Sequence, residues 1–529
     1  MKVVLPVAKR MPQLGLGAVV LAIAFMAKVL APHFEDPDFY WHVKTGEYLL
    51  ASWPWPRGDV FTYTHAGNPW VLSEWLAQIV LYLVFSAAGY FGTALLVAAL
   101  CACCGWLTYL SCRQHMDNPV HAISVALVSS LFFVTAAPRP HLFSFAFFAA
   151  TLFILLEFKY FRQDRRLVLL PLILFLWANA HGGFFVGLIL IFLFAGSEWL
   201  KNVFKSADAL DPARVRKLGA WSAAALAITL VNPHHVHLWW YPVEAILLSG
   251  DAQMINEWQS PSFHMPLTQG FLALVLAFFS VQAWSRRRPD LTEVVVPLVY
   301  IASAFVSVRN MPLAAMALAP FLARGLQSMP FPALAIRRDA AAVPGRGGAL
   351  PPLAAVQKPL AEGQAQFINW VLLAVAGLAL ALGYPAQSKR QAAAVATYLP
   401  VGAADFLVAN RIHGRMFNTY HYGGYLIYRL YPAQQVFIYG RTDIYQDGFV
   451  QIHNAILGGR PDWKTLFERY GIDYVVCESG AALRQLLLLQ GGFTRVFDDG
   501  NHSVLLKNTD RFKDIIERYG MPGAVRGEA

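Results

Sequence analysis

The chain has 529 residues, of which 57% are hydrophobic and only 14% are charged, and its mean hydropathy is +0.44. This composition excludes an ordinary soluble domain and indicates a polytopic membrane protein. The formal net charge of +10 does not indicate nucleic-acid binding, because the basic residues occur in short clusters between apolar runs. The cysteines lack the spacing of a metal site or a disulfide framework, so we expect them to be small core residues.

About 11 apolar runs predict transmembrane helices, although several are shorter than the roughly 20 residues that a full span prefers. We interpret the first run as a membrane helix rather than a cleaved signal peptide, because further apolar spans follow it. The runs lie at residues 13–31, 91–112, 119–137, 142–160, 164–178, 184–200, 218–231, 267–284, 291–306, 311–325 and 367–384.

A further apolar run at residues 74–88 could be another span, but we interpret it as a helix that lies at the membrane surface. With this choice, the Lys and Arg clusters fall on one side of the membrane at every crossing, and that side should be cytoplasmic. The opposite loops are rich in Asp and Glu. They should face the periplasm or its equivalent.

The chain changes character towards its C-terminus. Residues 326–366 are rich in Ala, Pro and Gly and predict a flexible cytoplasmic linker. The run at 367–384 predicts the last span, which places residues 385–529 on the outer side. Strand-like runs at 436–439, 473–476 and 503–507, separated by helix-like stretches, predict a small α/β domain there. The expected fold class is an all-α polytopic membrane protein with a small α/β C-terminal extracytoplasmic domain.

Two other classes of membrane protein are disfavoured. No internal repeat is visible in the sequence, which weakens a secondary-transporter interpretation. The glycine-rich stretch Gly345-Arg-Gly-Gly348 lacks the preceding strand and the following Lys-Ser/Thr of a nucleotide-binding loop. Nucleotide hydrolysis is therefore not the expected energy source.

Unusual polar motifs lie at the outer ends of the predicted helices, in six separate loops. Their convergence on one membrane face predicts a water-accessible site. The motifs are Asp36-Pro-Asp38-Phe-Tyr-Trp-His42, Arg139-Pro-His141, Trp177-Ala-Asn179-Ala-His181-Gly-Gly183, Asn232-Pro-His234-His235, Asn256-Glu257-Trp258 and Arg309-Asn310-Met311-Pro312.

Each motif also has a purely structural interpretation. Asp36 and Asp38 could cap the helix that begins near Phe39. Arg139 could anchor lipid headgroups, although its guanidinium is also suited to phosphate oxygens. His181 could be a satisfied histidine in a tight loop. A structural loop is favoured for Asn232-Pro-His234-His235, and ordinary loop or headgroup contacts are the alternative for Glu257-Trp258 and Arg309-Asn310.

The stretch from Asp36 to Trp75 carries a family resemblance. An Asp-X-Asp-type pair just past the first membrane helix, followed by surface helices and about ten more spans, resembles the GT-C superfamily of integral membrane glycosyltransferases. These enzymes use polyprenyl-phosphate-linked sugars, and the motifs look like a bacterial branch with few characterised members. The resemblance covers residues 1–325, a GT-C-like transmembrane catalytic module with a first outer loop at 32–90. Tyr422-Gly-Gly-Tyr-Leu-Ile-Tyr428 and Tyr439-Gly-Arg-Thr-Asp443 look like the outer domain of the same branch.

This resemblance implies a reaction and a set of site residues. In GT-C enzymes an acceptor hydroxyl attacks the anomeric carbon with inversion, and the polyprenyl phosphate leaves. By analogy of position, Asp38 is the expected base, with Asp36 and His42 beside it. The expected ligands of the donor phosphate are Arg139, Arg309, Lys28 and His181, and the expected substrate-binding residues are His141, Asn179, Glu257, Trp258 and Asn310.

The expected partners are a polyprenyl-phosphate-linked sugar donor, a lipid, glycan or protein acceptor, and membrane lipids. Some GT-C members use a divalent metal and others use none, so Asp36 and Asp38 are candidate ligands for Mg²⁺ or Mn²⁺. The implied location is a bacterial inner (cytoplasmic) membrane, with the site and the C-terminal domain facing the periplasm. Two other functions stay open: a non-enzymatic carrier or flippase, and an assembly protein for lipid-linked envelope saccharides.

Overall fold

The computed structural model describes residues 15–31, 33–133, 137–243, 256–329, 362–445 and 448–521. Each apolar run predicted to span the membrane overlaps a helix, whereas most of the predicted linker at 326–366 lies outside the described residues. The helices of this part are α1 (Leu16–Val29), α2 (Pro37–Ala51), α3 (Trp75–Arg113), α4 (Pro119–Ser130), α5 (His141–Phe161), α6 (Leu169–Ala180), α7 (Phe184–Val203), α8 (Pro212–Ile228), α9 (His237–Val243), α10 (Pro266–Trp284), α11 (Leu291–Val306), α12 (Met311–Gln327) and α13 (Glu362–Tyr398).

Five of the described helices are long and apolar enough to cross a membrane, namely α3, α5, α7, α10 and α13. The helices at the other predicted spans have 12 to 17 residues, fewer than the roughly 20 that a full crossing prefers. Helix α13 extends beyond both ends of the predicted run at 367–384. The architecture is mostly helical, as expected, and the number of spans stays a prediction.

The first outer loop is built on α2 and the N-terminal half of α3. Asp36 caps α2, because its side chain accepts a hydrogen bond from the Asp38 backbone N at 2.9 Å. Helix α3 is broken at Gly89, whose φ of 56° and ψ of −147° are not helical. This glycine separates the surface helix predicted at 74–88 from the span that follows it.

The C-terminal part contains a four-stranded mixed sheet in the order β1-β2-β4-β3. Strand β1 (Met416–Asn418) is parallel to β2 (Tyr474–Glu478), and β4 (His502–Lys507) is antiparallel to both β2 and β3 (Phe493–Asp498). These strands confirm the predictions at 473–476 and 503–507. The surrounding helices are α14 (Val401–Ala409), α15 (Gly423–Leu430), α16 (Phe449–Leu457), α17 (Trp463–Arg469), α18 (Ala482–Gln490) and α19 (Lys513–Tyr519).

The strand predicted at 436–439 is wrong, because Val436 forms an isolated bridge with Thr62 and the segment joins none of the four strands through a backbone ladder. Val436 N donates to Phe61 O at 3.0 Å, and Val436 O accepts from Tyr63 N at 3.3 Å. Tyr439 N donates to the Tyr445 hydroxyl at 2.8 Å. The segment therefore satisfies its polar backbone groups partly with the first outer loop, to which it ties the C-terminal part, and partly with side chains of the C-terminal part itself.

Buried apolar side chains form two main cores. One lies among the helices that follow the first outer loop, and it includes Phe148 and Trp177. The other combines the first outer loop with the C-terminal sheet and its helices, so that Phe61 and Trp70 share a core with Tyr439. The first outer loop and the C-terminal part are thus one packing unit, although they lie far apart in the sequence.

Candidate active site

Asp36 and Asp38 of the first outer loop lie beside Arg139, which belongs to the loop between α4 and α5. Arg139, two residues before α5, donates from Nε and Nη2 to the Asp36 carboxylate at 2.6 to 2.9 Å. Its Nη1 lies 3.0 Å from Asp38 Oδ2 and 3.2 Å from Glu257 Oε1. Although burial alone would lower the pKa of Arg139, these carboxylates raise it, so the guanidinium stays charged. Three predicted motifs therefore meet in one ion cluster.

Both carboxylate oxygens of Asp38 have polar partners, and Gly440 of the C-terminal part packs against the carboxylate. Its Oδ1 accepts a hydrogen bond from Trp41 Nε1 at 3.0 Å, and its Oδ2 faces Arg139. Gly440 backs directly onto this carboxylate, because a Cβ at position 440 would lie 1.9 Å from Asp38 Oδ1. Only glycine leaves room for Asp38 in this position.

Two adjoining cavities lie at the site, and three members of the ion cluster, Asp38, Arg139 and Glu257, line the first of them. The polar cavity has a volume of about 540 Å³ and is lined by the first outer loop and the C-terminal part, including Asp38, His42, Asn454 and residues 440–443. The apolar cavity has a volume of about 580 Å³ and runs along α5, α7 and α12. The residues that line both cavities are Ser73, Glu74, His141, Tyr241, Trp258 and Arg309.

His181 lines the apolar cavity, and both of its ring nitrogens are in contact with polar groups. Trp177 Nε1 donates to Ser144 Oγ, which leaves the Ser144 hydroxyl to donate to His181 Nδ1 at 2.7 Å. The Gly183 backbone N also donates to His181 Nδ1, at 3.0 Å. His181 Nε2 lies 3.4 Å from Glu74 Oε1 and 3.3 Å from Arg309 Nη2, and burial holds the pKa of this imidazole well below its usual range.

The two predicted phosphate-binding arginines have opposite surroundings. Arg139 is in contact with three carboxylates, as described above. Arg309 has no carboxylate within ion-pair distance among the described residues; its Nη2 lies 3.3 Å from His181 Nε2, and its guanidinium lies 5.9 Å from the centre of the Trp258 ring. Arg309 is thus a cation without an anionic partner in the described part of the chain, and it faces both cavities.

His42 lies beneath the polar cavity as a neutral ring. It is only 4% exposed, and burial, together with the positive charge of Arg139, holds its pKa well below the usual range. Gln78 Nε2 lies 3.1 Å from His42 Nδ1. His42 is therefore a hydrogen-bonding group at the site rather than a charged one.

Three predicted site residues line neither cavity, namely Asp36, whose carboxylate lies in the ion cluster, and Asn179 and Lys28. Asn179 is buried, and its side-chain amide bonds to Trp75 Nε1 at 2.9 Å and to the carbonyls of Phe175 and Val231. Lys28 is buried in the last turn of α1, with its Nζ 3.4 Å from Ala31 O. Asn179 serves the packing of α6 against the first outer loop. The structure does not bring Lys28 to the other site residues.

Several site residues were not among the predicted ones. Glu74 lies at the wall between the cavities, and Arg441 and Asp443 line the polar cavity. Arg441 donates to Asp443 from Nε and Nη2 at 2.9 and 2.8 Å, and the Tyr241 hydroxyl donates to Asp443 Oδ2 at 3.1 Å. Glu74 and Tyr439-Gly-Arg-Thr-Asp443 both occur in stretches that carry the family resemblance, which is the only sequence signal for them.

Glu74 gives the site a pH-dependent contribution to stability. Burial raises the pKa of this carboxyl from 4.5 to about 7. An unfolded chain releases the Glu74 proton near pH 4.5, whereas the folded chain keeps it until about pH 7, so this residue lowers stability as pH rises through that window. Compared with Glu74→Gln, the wild type should lose about 3 kcal/mol at most between pH 5 and pH 8.

The measurement is the thermal midpoint of both proteins in detergent at pH 5 and pH 8. Glu47→Gln, a matched substitution on the same loop at a side chain that is 42% exposed, is the control. A difference between wild type and Glu74→Gln that is equal at both pH values would contradict this assignment.

The donor groups around the acidic pair do not fit a divalent metal ion. Both oxygens of Asp36 and one oxygen each of Asp38 and Glu257 are in contact with the Arg139 guanidinium. Mg²⁺ and Mn²⁺ would need these same carboxylate oxygens as ligands. Within the described residues, no group of three or more His, Cys, Asp or Glu side chains is arranged to hold a metal ion.

The fold is similar to those of solved membrane transferases. AglB, the oligosaccharyltransferase of Archaeoglobus fulgidus, in complex with an inhibitory peptide and a dolichol-phosphate, matches with a TM-score of 0.55 and 12% sequence identity over 93% of this chain and 74% of AglB. The apo form of the oligosaccharyltransferase from the same organism matches with a TM-score of 0.50 at 12% identity and the same coverage. The chain shares the fold of these oligosaccharyltransferases.

ArnT of Cupriavidus metallidurans bound to undecaprenyl phosphate matches with a TM-score of 0.49 and 14% identity over 93% of this chain and 97% of ArnT. No protein-family model and no curated protein matches the sequence. In this fold, the polar cavity is lined by the outer loops and the C-terminal part, and the apolar cavity lies at the N-terminal ends of α5, α7 and α12.

Proposed function

We propose that the chain is a membrane glycosyltransferase that moves a sugar from a polyprenyl-phosphate carrier to an acceptor hydroxyl. The observation that carries this proposal is the placement of Asp38 and Arg309 at two adjoining cavities of different polarity. A polar cavity suits a sugar and its acceptor, and an apolar cavity suits the first units of a polyprenyl chain. AglB, which has a similar fold, was solved with a dolichol-phosphate.

In the proposed reaction Asp38 is the base. Its carboxylate accepts the proton of the acceptor hydroxyl while that oxygen attacks the anomeric carbon. The bond between the anomeric carbon and the phosphate oxygen breaks on the opposite face, so the configuration inverts and the electron pair stays on the phosphate. Trp41 and Arg139 hold the carboxylate in place for this step.

We assign the phosphate of the donor to Arg309. A guanidinium that faces both cavities, without a carboxylate partner in the described part of the chain, is suited to the negative charge that develops on the leaving oxygen. His181 lies beside it. The N–H groups of Arg139 are in contact with carboxylates, so we do not assign Arg139 to the phosphate of the sugar donor.

The remaining predicted residues receive roles from the cavity that they line. His141 and Trp258, which line both cavities, are assigned to the sugar at their junction. Glu257 and His42 line the polar side, and Asn310 lines the apolar side. Lys28 and Asn179 receive no role in the reaction.

The proposed location is a bacterial inner membrane, with the site on the periplasmic side. The support for this orientation is the distribution of basic clusters, which the positive-inside rule places in the cytoplasm. The acceptor in this proposal is a hydroxyl of a lipid, a glycan or a protein.

The test is incubation of the purified protein with candidate polyprenyl-phosphate sugars, with release of polyprenyl phosphate as the readout. Arg309→Ala is expected to lower the turnover number by about 10²- to 10³-fold, because one preorganised donor group to the developing charge is lost. Arg309→Lys should recover part of that loss, since it keeps the charge but not the planar fork.

Arg57→Ala is the matched control, because Arg57 is an exposed arginine of the first outer loop that lines neither cavity. It should turn over at the wild-type rate. Equal turnover by Arg309→Ala and wild type would remove Arg309 from the mechanism. Failure of the wild type to release polyprenyl phosphate from every sugar donor offered would count against the function itself.

A further inference from the structure

The guanidinium of Arg139 occupies the centre of a carboxylate cluster. Asp36 and Asp38 approach it from the N-terminus of α2, and Glu257 approaches it from the segment at 256–258. The N–O distances of the ion pairs with Asp36, Asp38 and Glu257 are 2.6, 3.0 and 3.2 Å. The side chains of Arg139, Asp36 and Asp38 are 20%, 15% and 18% exposed, so these charges are well shielded from water.

Carboxylate oxygens from separate loops that converge on one point are the ligands that a divalent cation prefers. Here, all three guanidinium nitrogens of Arg139 are directed at these oxygens. A metal ion among them would be in contact with a charged guanidinium, which repels it. The ion cluster thus resembles a metal site in which the Arg139 side chain, instead of a metal ion, supplies the positive charge.

We propose that Arg139 takes the place of a divalent metal, and that it positions Asp38 for a reaction that needs no metal. The reaction is the glycosyl transfer proposed above, so this inference rests on that function. Arg139 is a positioning residue, because its contacts are to Asp38 and Asp36 rather than to substrate. It fixes one oxygen of the base while Trp41 fixes the other.

The same contacts explain why Arg139 is a poor phosphate ligand. Its nitrogens would have to leave three carboxylates in order to bind a phosphate, and two of them, Asp36 and Asp38, would then be largely buried without a counter-charge. Arg309 needs no such rearrangement, because no carboxylate in the described part of the chain lies within ion-pair distance of it. In the proposed reaction, Arg139 therefore positions the base, Asp38, and Arg309 stabilises the leaving phosphate.

The first test measures Mn²⁺ binding to the purified protein by electron paramagnetic resonance, with no sugar donor present. The wild type should show no Mn²⁺ site in the micromolar range. Arg139→Met removes the guanidinium but keeps an unbranched apolar stem, so the freed carboxylates should bind Mn²⁺ at least tenfold more tightly. Arg57→Met is the matched control and should behave like the wild type.

Because this readout uses no substrate, it is independent of whether the proposed transfer occurs. A tight Mn²⁺ site in the wild type that Glu257→Gln weakens would overturn the proposal. A folded Arg139→Met protein that binds no more Mn²⁺ than the wild type would also overturn it.

The second test measures turnover after dialysis against EDTA, which needs no variant and so does not depend on the folding of Arg139→Met. Wild-type turnover should be unchanged by the chelator. Loss of turnover that Mn²⁺ or Mg²⁺ restores would overturn the proposal. Arg139→Lys should lower the turnover number more than it raises KM, because a single ammonium group cannot hold both Asp36 and Asp38 in place.

Discussion

Asp38→Asn is expected to lower the turnover number by about 10²- to 10⁴-fold, because an amide cannot accept the proton of the acceptor hydroxyl. The fold should survive, since an amide oxygen can still accept the hydrogen bond from Trp41 Nε1. Thermal midpoint and release of polyprenyl phosphate are the two measurements. The ion cluster keeps Asp36 and Glu257 as partners of Arg139, which limits the loss of stability.

Asp405→Asn is the matched control for this substitution. Asp405 is 59% exposed on the C-terminal part and pairs with Arg429 at the surface, away from both cavities. Its turnover should equal that of the wild type. Wild-type turnover by a folded Asp38→Asn protein would mean that another group takes the proton, and Glu74 would be the next candidate because it lines both cavities.

Gly440→Ala is expected to reduce turnover by about 100-fold or more, although residue 440 carries no chemistry of its own. The added methyl group would lie 1.9 Å from Asp38 Oδ1, a separation that no real contact allows, so the carboxylate must move. Displacement of a reacting group by about 1 Å can cost about 10²-fold in rate. The same release assay measures this loss.

Gly480→Ala is the matched control, because a Cβ at position 480 would meet no atom within 4 Å. The double variant with Asp38→Asn separates the mechanism from a general loss of stability. If Gly440→Ala acts by displacing Asp38, it should add little to the loss already caused by Asp38→Asn. Multiplication of the two losses, or wild-type turnover by Gly440→Ala alone, would show that residue 440 does not act through Asp38.

The membrane helices could be predicted because their signal is local. Each apolar run predicted as a span overlaps a helix, and the run at 74–88 is separated from the next span at Gly89. The span count could not be settled in the same way, because six of these helices have 17 residues or fewer. Apolar composition alone does not distinguish a short crossing from a buried helix.

The gathering of the outer polar motifs could be predicted, but the partners within the site could not. Asp36, Arg139 and Glu257 were all expected at one face, and they form one ion cluster. An arginine of this site can pair with a carboxylate or face a cavity. The outcome depends on distances of a few ångströms between separate loops. For this reason Arg139 and Arg309 were given the same role from sequence and have different surroundings in the structure.

The residues that the C-terminal part contributes to the polar cavity were not predicted, for a related reason. Gly440 and Arg441 reach the site through tertiary packing, and nothing in their local sequence shows that they lie beside Asp38 and Trp70. The strand predicted at 436–439 has suitable apolar residues, but its backbone bonds to the first outer loop. Burial and β propensity indicate an extended segment without saying what pairs with it.

The shared core of the first outer loop and the C-terminal part has a consequence for biosynthesis. The ribosome releases residues 59–64 long before residues 435–439, yet Asp59, Val60 and Thr64 find hydrogen-bond partners in that later segment. A chain emerges from the ribosome and folds from its N-terminus. The loop that carries Asp38 therefore cannot complete its packing until most of the protein has been translated. Nascent chains and prematurely terminated products therefore lack the C-terminal residues that line the polar cavity.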